Sequence, residues 1–259
     1  MERNTVGSLL RSTQALRSQL CGKQTLEQGI AYYSERFANL PEANQFREVV
    51  VGSSEQIVAA FDEAQAWFSE RDLRCHVWAP AGGEASPELA AFLAARGYEE
   101  RGYLAMTLAT WVEIEPVGDV RILPARAMRA ALRRTFHDAA TSSDTGDADE
   151  LADAMDERMN DPQFDVFVAM IDAKPMGRCG LYQVGDIARV VDLCVSGTFR
   201  RDDVERALTA HVLAMAKRLQ MRNICVQVDE GDAKRRAWFG AYGFVADGRV
   251  VEFERPART

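Results

Sequence analysis

The sequence predicts a mixed α/β fold long enough for two domains. Of its 259 residues, 47% are hydrophobic and 27% charged, which is ordinary for a globular protein. Segments with helical spacing alternate with short apolar segments typical of strands. Both halves also end alike, in a helix, a glycine, an aromatic residue and a strand, at residues 94–108 and 239–253. This repetition predicts an internal duplication.

The first half contains elements of both kinds. Apolar residues at helical spacing predict helices over residues 8–20 and 54–71, with Ser53 and Ser54 as candidate caps of the second. Residues 75–78 read as a strand that ends before Pro80. Pro87 opens a short helix that continues to residue 96 and stops at Gly97, and residues 103–108 read as a strand.

The second half is longer and follows the same logic. Strand patterns lie at residues 120–123, 166–171, 178–183, 189–195, 223–228 and 250–253. Helical patterns lie at residues 127–136, 149–159, 203–219 and 233–242. Proline and glycine interrupt these patterns at residues 115–118, so we predict domains at residues 1–115 and 116–259.

Charge and hydropathy exclude several classes of partner. The net charge is -8 and both halves are acidic, which disfavours a nucleic-acid backbone as partner. The N-terminus lacks an apolar signal core, and no apolar segment approaches the roughly 20 residues of a membrane span. We therefore expect a soluble cytoplasmic protein that binds neither nucleic acid nor membrane.

Cysteine and histidine usage predicts neither disulfides nor a metal site. The five cysteines have no close pairs and mostly apolar neighbours, which is typical of reduced thiols in a core. His76, His137 and His211 have no ligand spacing to one another. We therefore expect no bound metal.

The second half resembles the GNAT superfamily of N-acetyltransferases over about residues 119–254. The resemblance rests on a hairpin containing Gly177, a strand at residues 191–195, a helix that begins near residues 206–208, and the closing Tyr242-Gly243-Phe244. The first half resembles a shortened, more divergent copy, mainly through its Arg96-Gly97-Tyr98 ending. The resemblance implies two tandem GNAT-like domains with mixed sheets, and acetyl-CoA as the cofactor if the protein is active.

The cofactor loop departs from the family pattern. In the family it reads Arg or Gln, two variable residues, Gly, one variable residue, then Gly or Ala. Backbone N–H groups there hold the pyrophosphate at a helix N-terminus. The two small positions fall on Asp203 and Glu205. By resemblance the cofactor-binding positions are Cys194 and Val195 on the strand, and Arg200, Arg201, Asp203, Val204, Glu205 and Arg206 in the loop.

These acids disfavour pyrophosphate binding. A carboxylate about 4 Å from a phosphate oxygen is repelled by roughly 1 kcal/mol in water and about 4 kcal/mol at an effective dielectric near 20. Asp202 or Asp203 would instead cap the helix that follows. The alternative is altered anion binding in which Arg200, Arg201 and Arg206 compensate the acids.

The catalytic positions are also altered. A Tyr that protonates the CoA thiolate in relatives falls here on Phe239, and the Asn of the same helix falls on Asp232. Phenylalanine has no proton to donate. Tyr242 is the weak substitute for the acid, although packing on the sheet is the expected role of its position. Asp192, the acid of the strand before the loop, is the weak candidate for the base, and a structural ion pair is its alternative.

Two further candidates depend on their surroundings. No histidine lies near Cys194 in sequence, so a nucleophilic role for this thiol is disfavoured. Residues 141–150 are polar and acidic, and by resemblance this region helps to form the acceptor pocket, where acids would suit a cationic amine. A solvated loop that caps the next helix is the alternative.

The sequence predicts a GNAT-like protein that is catalytically impaired or non-catalytic and acts by binding a small amine or a protein. The competing hypothesis is an active acetyl-CoA-dependent N-acetyltransferase acting on a small amine. A further alternative is a pocket for another ligand, with the fold kept and the chemistry replaced. The sequence leaves open a homodimer.

Overall fold

The computed structural model describes residues 4–115, 117–140 and 147–256. The chain divides into two compact units. Unit 1 comprises residues 1–105, 228–236 and 246–259, and unit 2 comprises residues 106–227 and 237–245. The C-terminal residues thus contribute to both units. The domain boundary at residues 115/116 remains a prediction.

The helices are α1 Thr5–Arg17, α2 Ser54–Ser69, α3 Pro87–Ala94, α4 Arg129–Ala140, α5 Ala148–Arg158, α6 Arg201–Arg218 and α7 Ala233–Ala241. The strands are β1 Gly22–Thr25, β2 Ile30–Tyr33, β3 Gln45–Val49, β4 Val77–Pro80, β5 Glu99–Leu108, β6 Arg121–Pro124, β7 Phe164–Ile171, β8 Lys174–Val184, β9 Ile187–Val195, β10 Asn223–Asp229 and β11 Phe244–Glu254. The mixture of helices and strands confirms the predicted fold class.

Unit 1 is built on strands in the order β1-β2-β3-β4-β11-β5. Strands β3 and β4 are parallel, whereas β1, β2 and β3 pair antiparallel. Its core contains Phe46, Phe68 and Trp78, packed with side chains of α2 and α3. Ser53 caps α2 and Pro87 begins α3, both as predicted.

Unit 2 is built on strands in the order β10-β9-β8-β7-β6, with the last residues of β5 beside β10. Helix α4 lies against one face of this sheet, where Arg178 of β8 donates to the carbonyl oxygen of Thr135. Helix α6 lies against the other face, where the ring of His211 packs edge-on against Phe167 of β7. Strands β9 and β10 are parallel, and α6 connects them.

Three strands, β1, β2 and β3, were not predicted from the sequence. Strand β1 has the polar sequence Gly-Lys-Gln-Thr and is exposed throughout. Strand β3 carries Arg47, whose side chain is buried because it forms an ion pair with Glu252 at 2.6 Å. Hydrophobic alternation cannot reveal either strand, since one lacks apolar residues and the other depends on a distant charge partner.

No helix in the described ranges is long and apolar enough to cross a membrane.

Acid is expected to destabilise the protein through His211. Burial lowers the pKa of this imidazole below its ordinary 6.5, and the charge of Arg218 adds to the effect. His211 therefore takes up a proton near pH 6.5 in the unfolded chain, but only at a lower pH in the folded chain. Stability should be retained above pH 6.5 and fall as the pH decreases toward the folded pKa.

The measurement is the free energy of unfolding in urea at pH 7.5 and pH 5.5. His211→Phe keeps the ring contact with Phe167 and cannot be protonated. Its free energy of unfolding should therefore decrease less between pH 7.5 and pH 5.5 than that of the wild type. His137→Gln, at an exposed position of α4, serves as the control for replacing a histidine elsewhere in the chain. An equal loss in wild type and His211→Phe would contradict the assignment.

Candidate functional site

Strand β9 contains a bulge at Asp192. Gly180 pairs with Val191 and Arg178 pairs with Cys194, so β9 has one residue more than β8 over this stretch. Asp192 takes the extra position with a left-handed φ of 51°. A bulge of this kind bends its strand and strengthens its twist.

The bulge coincides with the separation of β9 from β10. The parallel register between these strands extends to Val190 and Val226. Strand β9 continues to Val195 without further registered pairs to β10 in the described ranges. Cys194 and Val195, two predicted cofactor-binding positions, lie on this stretch, where β9 pairs with β8. The main chain there is the segment that, by resemblance, would pair with the pantetheine arm.

A glycine in β8 permits the close approach of β9 at this point. A side chain at Gly177 would place its Cβ 2.5 Å from the carbonyl oxygen of Cys194. Any other residue would therefore push the two strands apart. The predicted importance of Gly177 thus has a steric reason.

The Asp192 carboxylate is held in an ion pair. The Arg178 side chain is 7% exposed and approaches the two carboxylate oxygens of Asp192 at 2.5 and 3.1 Å. Burial by itself would lower the pKa of Arg178, but the adjacent Asp192 carboxylate outweighs it and the pKa is raised. Because both oxygens of Asp192 are bound to the guanidinium of Arg178, this geometry favours the structural role of Asp192 over the role of base.

Helix α6 begins at Arg201, and its N-cap is Arg200 in a left-handed conformation with φ 50°. The prediction that Asp202 or Asp203 caps this helix is wrong, because no side chain makes a capping hydrogen bond there. The cause is competition: the Asp203 carboxylate binds arginines instead of backbone amides.

Asp203 accepts hydrogen bonds from Arg200 at 2.8 and 3.0 Å and from Arg206 at 2.8 Å. Asp119 also binds Arg200, with one contact at 2.9 Å, and this contact lowers the pKa of Asp119. Asp119 was not predicted as part of this site, because it lies 81 residues before its partner. Two of the arginines that could compensate the loop acids are therefore already bound by carboxylates of the chain.

The second acid of the loop is buried. Glu205 is 2% exposed and lies 3.2 Å from the guanidinium of Arg201. With the network around Asp203, the start of α6 brings together four carboxylates and three guanidinium groups. The carboxylates are those of Asp119, Asp202, Asp203 and Glu205, and the guanidinium groups are those of Arg200, Arg201 and Arg206. Their sum is one negative charge, which does not suit a pyrophosphate.

Phe239, which stands at the acid position that the resemblance implies, is fully packed. It is 2% exposed and its ring packs against Phe244 at 5.3 Å. Tyr242 is partly exposed and its ring lies 5.2 Å from that of Trp238. Burial raises the pKa of Tyr242, with smaller effects from Arg206 and Glu205, so its phenol keeps its proton. The Tyr242 phenol is thus protonated, and the side chain is more exposed than expected for a residue packed in the core.

Asp232 has a structural role at the start of α7. Its side chain accepts a hydrogen bond from the N–H of Arg235 at 2.7 Å, which is the bond an N-cap residue makes. Asparagine, which the resemblance implies for this position, can make the same bond. The replacement therefore leaves the helix start intact.

The remaining candidates lie apart from the α6 loop. His76 is in unit 1, His137 faces Asp149 at 3.4 Å, and His211 packs on β7. Within the ranges that the structure describes, no three His, Cys, Asp or Glu side chains form a metal-binding group. Of the acidic segment at residues 141–150, residues 141–146 lie outside the described part. Asp147 caps α5, as the alternative interpretation expected.

Unit 1 contains a similar bulge, but side chains of the unit bind the backbone amides at the start of the helix that follows. Glu48 of β3 has a left-handed φ of 56°, and the register between β3 and β4 shifts at this residue. At the start of α2, the Ser53 side chain accepts from the N–H of Gln56, and the Gln56 side chain accepts from the N–H of Gly52. Side chains of the unit therefore occupy the amides that a phosphate would need.

The chain is similar to known acetyltransferases in sequence and fold. Residues 139–255 match the model of a family described as an acetyltransferase (GNAT) domain. No curated protein matches the chain by sequence.

Solved structures match over nearly the whole chain. A protein of unknown function from Staphylococcus epidermidis has a TM-score of 0.70 at 12% identity, over 92% of this chain and 95% of that one. A GCN5-related N-acetyltransferase from Kribbella flavida has a TM-score of 0.65 at 14% identity, over 98% and 95%. Another from Sphaerobacter thermophilus has a TM-score of 0.60 at 14% identity, over 95% and 86%. At these identities the likeness concerns the fold.

Proposed function

Starting from the premise that residues 139–255 form a GNAT acetyltransferase domain, we propose that this domain binds acetyl-CoA weakly and transfers acetyl groups poorly or not at all. The protein then acts by binding a small amine or a protein partner. One observation carries the proposal: the Asp203 carboxylate stands at a glycine position of the pyrophosphate loop and is bound by Arg200 and Arg206.

The network around Asp203 works against phosphate in two ways. It fills the position where the backbone must be bare, and it neutralises the arginines that would otherwise attract the anion. A repulsion of roughly 1 to 4 kcal/mol for each carboxylate near a phosphate would remove much of a micromolar affinity, which is about 8 kcal/mol. Acetyl-CoA could regain the arginines only by displacing carboxylates that are already in contact with them.

The loss of the acid at Phe239 supports the same proposal. Its ring is packed against Phe244 and carries no exchangeable proton. A bound thioester would therefore lack the family's proton donor. Binding and proton transfer are separate parts of one mechanism, and the two changes affect both.

The second candidate function is an active N-acetyltransferase acting on a small amine, with acetyl-CoA as donor. It is favoured by the bulge at Asp192 and the separation of β9 from β10, because the main chain of β9 beyond Val190 then has no registered partner in β10 among the described residues. The absence of a side-chain cap on α6 also favours it. In this candidate the Tyr242 phenol, which keeps its proton, would replace the missing acid.

Isothermal titration calorimetry with acetyl-CoA tests the proposal, together with CoA release across a panel of small amines. We expect a dissociation constant weaker than about 100 µM, which corresponds to a loss of roughly 3 kcal/mol from a micromolar affinity. CoA release should not exceed the rate without enzyme. A micromolar dissociation constant with turnover of any amine would establish the second candidate instead.

A further inference from the structure

Unit 1 contains a cavity whose lining belongs to that unit throughout. Its volume is about 610 Å³, which is within the range of pockets that hold small molecules. Helices α1 and α3, the strands β5 and β11, and the loop after β4 form its walls. None of the described positions that the resemblance assigns to the cofactor or to catalysis lines it. The cavity is therefore a separate place at which a ligand could bind.

Glycines keep the space open. Gly82 and Gly83 follow β4 with left-handed φ values of 71° and 81°, and a Cβ at Gly83 would lie 3.2 Å from both methyl groups of Val250. The loop therefore lies directly on β11. A Cβ at Gly82 would meet no atom within 4 Å, so this position leaves its side of the cavity empty. A Cβ at Gly248 would overlap the side chain of Val6, so glycine there lets α1 close another side.

Most of the side chains that line the cavity are apolar. Five of them have no hydrogen-bonding group: Val6, Ala85, Pro87, Ala90 and Val251. Val251 belongs to the hydrophobic core of unit 1, and Ala85 and Ala90 pack against that core, which holds this wall in place. A ligand gains affinity here by removing its own apolar surface from water.

Three charged side chains complete the lining, those of Glu84, Glu100 and Arg249. Arg249 is already bound on two sides, because its Nε donates to Glu230 at 2.8 Å and its Nη2 donates to Glu100 at 3.1 Å. Glu84 differs, since its side chain forms no hydrogen bond or ion pair within the described part of the chain. The three charges of the lining sum to one negative charge, and Glu84 carries the uncompensated one.

This arrangement favours a cation over an anion. An anion would be repelled by Glu84 and could bind Arg249 only in competition with Glu100 and Glu230. A cation gains the attraction of Glu84 and displaces nothing. At a separation of about 4 Å in water, one such attraction changes an affinity about fivefold, and an anion loses a similar factor.

We propose that this cavity binds a small organic cation with an apolar substituent. The charge of the ligand lies at Glu84, and its apolar part lies against Ala90 and Val251. Coulomb attraction and apolar contact need no hydrogen bond, so a cation without any N–H group is also a ligand. Such a cation cannot accept an acetyl group, which separates this site from an acceptor site. The inference goes beyond the proposed function, because it gives unit 1 a ligand of its own.

A titration with benzyltrimethylammonium tests the proposal, since this cation carries an aromatic ring and cannot be acetylated. The full chain is labelled with ¹⁵N-glycine and followed by NMR, because three glycines line the cavity. We expect saturable shifts at Gly82, Gly83 and Gly248, with a dissociation constant of about 1 mM or tighter. Gly177 and Gly240 of unit 2 should not shift. Phenylacetate has a similar ring with the opposite charge and should bind at least about tenfold more weakly.

Two pairs of variants separate the contribution of charge from that of shape. Glu84→Gln should weaken binding of the cation about fivefold. Glu88→Gln, at an exposed position of α3 that does not line the cavity, should leave it unchanged. Ala90→Leu should fill the cavity and weaken binding at least about tenfold, whereas Ala91→Leu, an exposed neighbour outside the lining, should not. Circular dichroism of each variant checks that the fold is retained.

Several results would overturn the inference. They are equal affinities for benzyltrimethylammonium and phenylacetate, no saturable shift at up to about 10 mM of the cation, and binding that survives in Ala90→Leu. Equal weakening by Glu84→Gln and Glu88→Gln would do the same. None of these results bears on the proposed function, which calorimetry with acetyl-CoA decides. Asp203→Gly should leave the affinity for the cation unchanged, because no residue of α6 lines the cavity.

Discussion

Replacing Asp203 with glycine and Glu205 with alanine is expected to tighten acetyl-CoA binding at least about 30-fold, a gain of roughly 2 kcal/mol. The double variant restores both small positions of the family loop. It also releases Arg200 and Arg206 from Asp203, and Arg201 from Glu205, so that the local charge changes from one negative to one positive. Isothermal titration calorimetry of wild type and variant measures the change.

The matched control is Asp202→Ala. It removes one carboxylate from the same turn of α6, at an exposed position that is not one of the two small positions of the predicted loop. If the close approach of the pyrophosphate to the backbone limits binding, the acetyl-CoA affinity of this variant should increase less than about fivefold, as expected for the removal of one screened charge. The interpretation fails if the acetyl-CoA affinity of Asp202→Ala increases as much as that of the double variant. It also fails if the double variant stays folded and its affinity does not increase.

The double variant is expected to remain folded. Glycine in the first turn of α6 costs about 1 kcal/mol relative to a better helix former. Removing Glu205 leaves Arg201 with more than a third of its side chain in solvent, so no charge becomes buried without a partner. Thermal unfolding without ligand provides the reference against which stabilisation by acetyl-CoA is read.

Gly243→Ala is expected to destabilise the protein by about 3 kcal/mol or more. Gly243 has a left-handed φ of 87°, and its carbonyl oxygen accepts the N–H of Ala109 at 2.9 Å. A Cβ at this position would overlap the carbonyl oxygen of Thr110, which is backbone and cannot rotate away. Urea unfolding at pH 7.5 measures the loss.

Gly240→Ala, three residues earlier in α7, is the control for this substitution. A Cβ at Gly240 meets no atom within 4 Å. Alanine in a helix is better than glycine by up to about 1 kcal/mol, so this variant should be neutral or more stable. A similar loss in both variants, or a loss below about 1 kcal/mol in Gly243→Ala, would contradict the steric explanation.

Much of the local structure could be predicted because it depends on near neighbours. Ser53 caps α2 through a bond to an amide three residues away, and Pro87 begins α3 through its own fixed φ. The order of elements in unit 2 followed from periodicity and from the resemblance. The three strands β1, β2 and β3 escaped because they lack hydrophobic alternation.

The sequence by itself determined the residues at positions 203, 205 and 239, and its resemblance to the GNAT superfamily predicts that these are the loop and acid positions. Only the structure decided which contacts these side chains make. Asp203 binds Arg200 and Arg206, each three residues away, rather than capping α6, and the fold brings Asp119 to Arg200 from 81 residues away. Composition and spacing define local backbone preferences, whereas a charge takes the partner that the fold brings nearest, and that partner can lie anywhere in the chain.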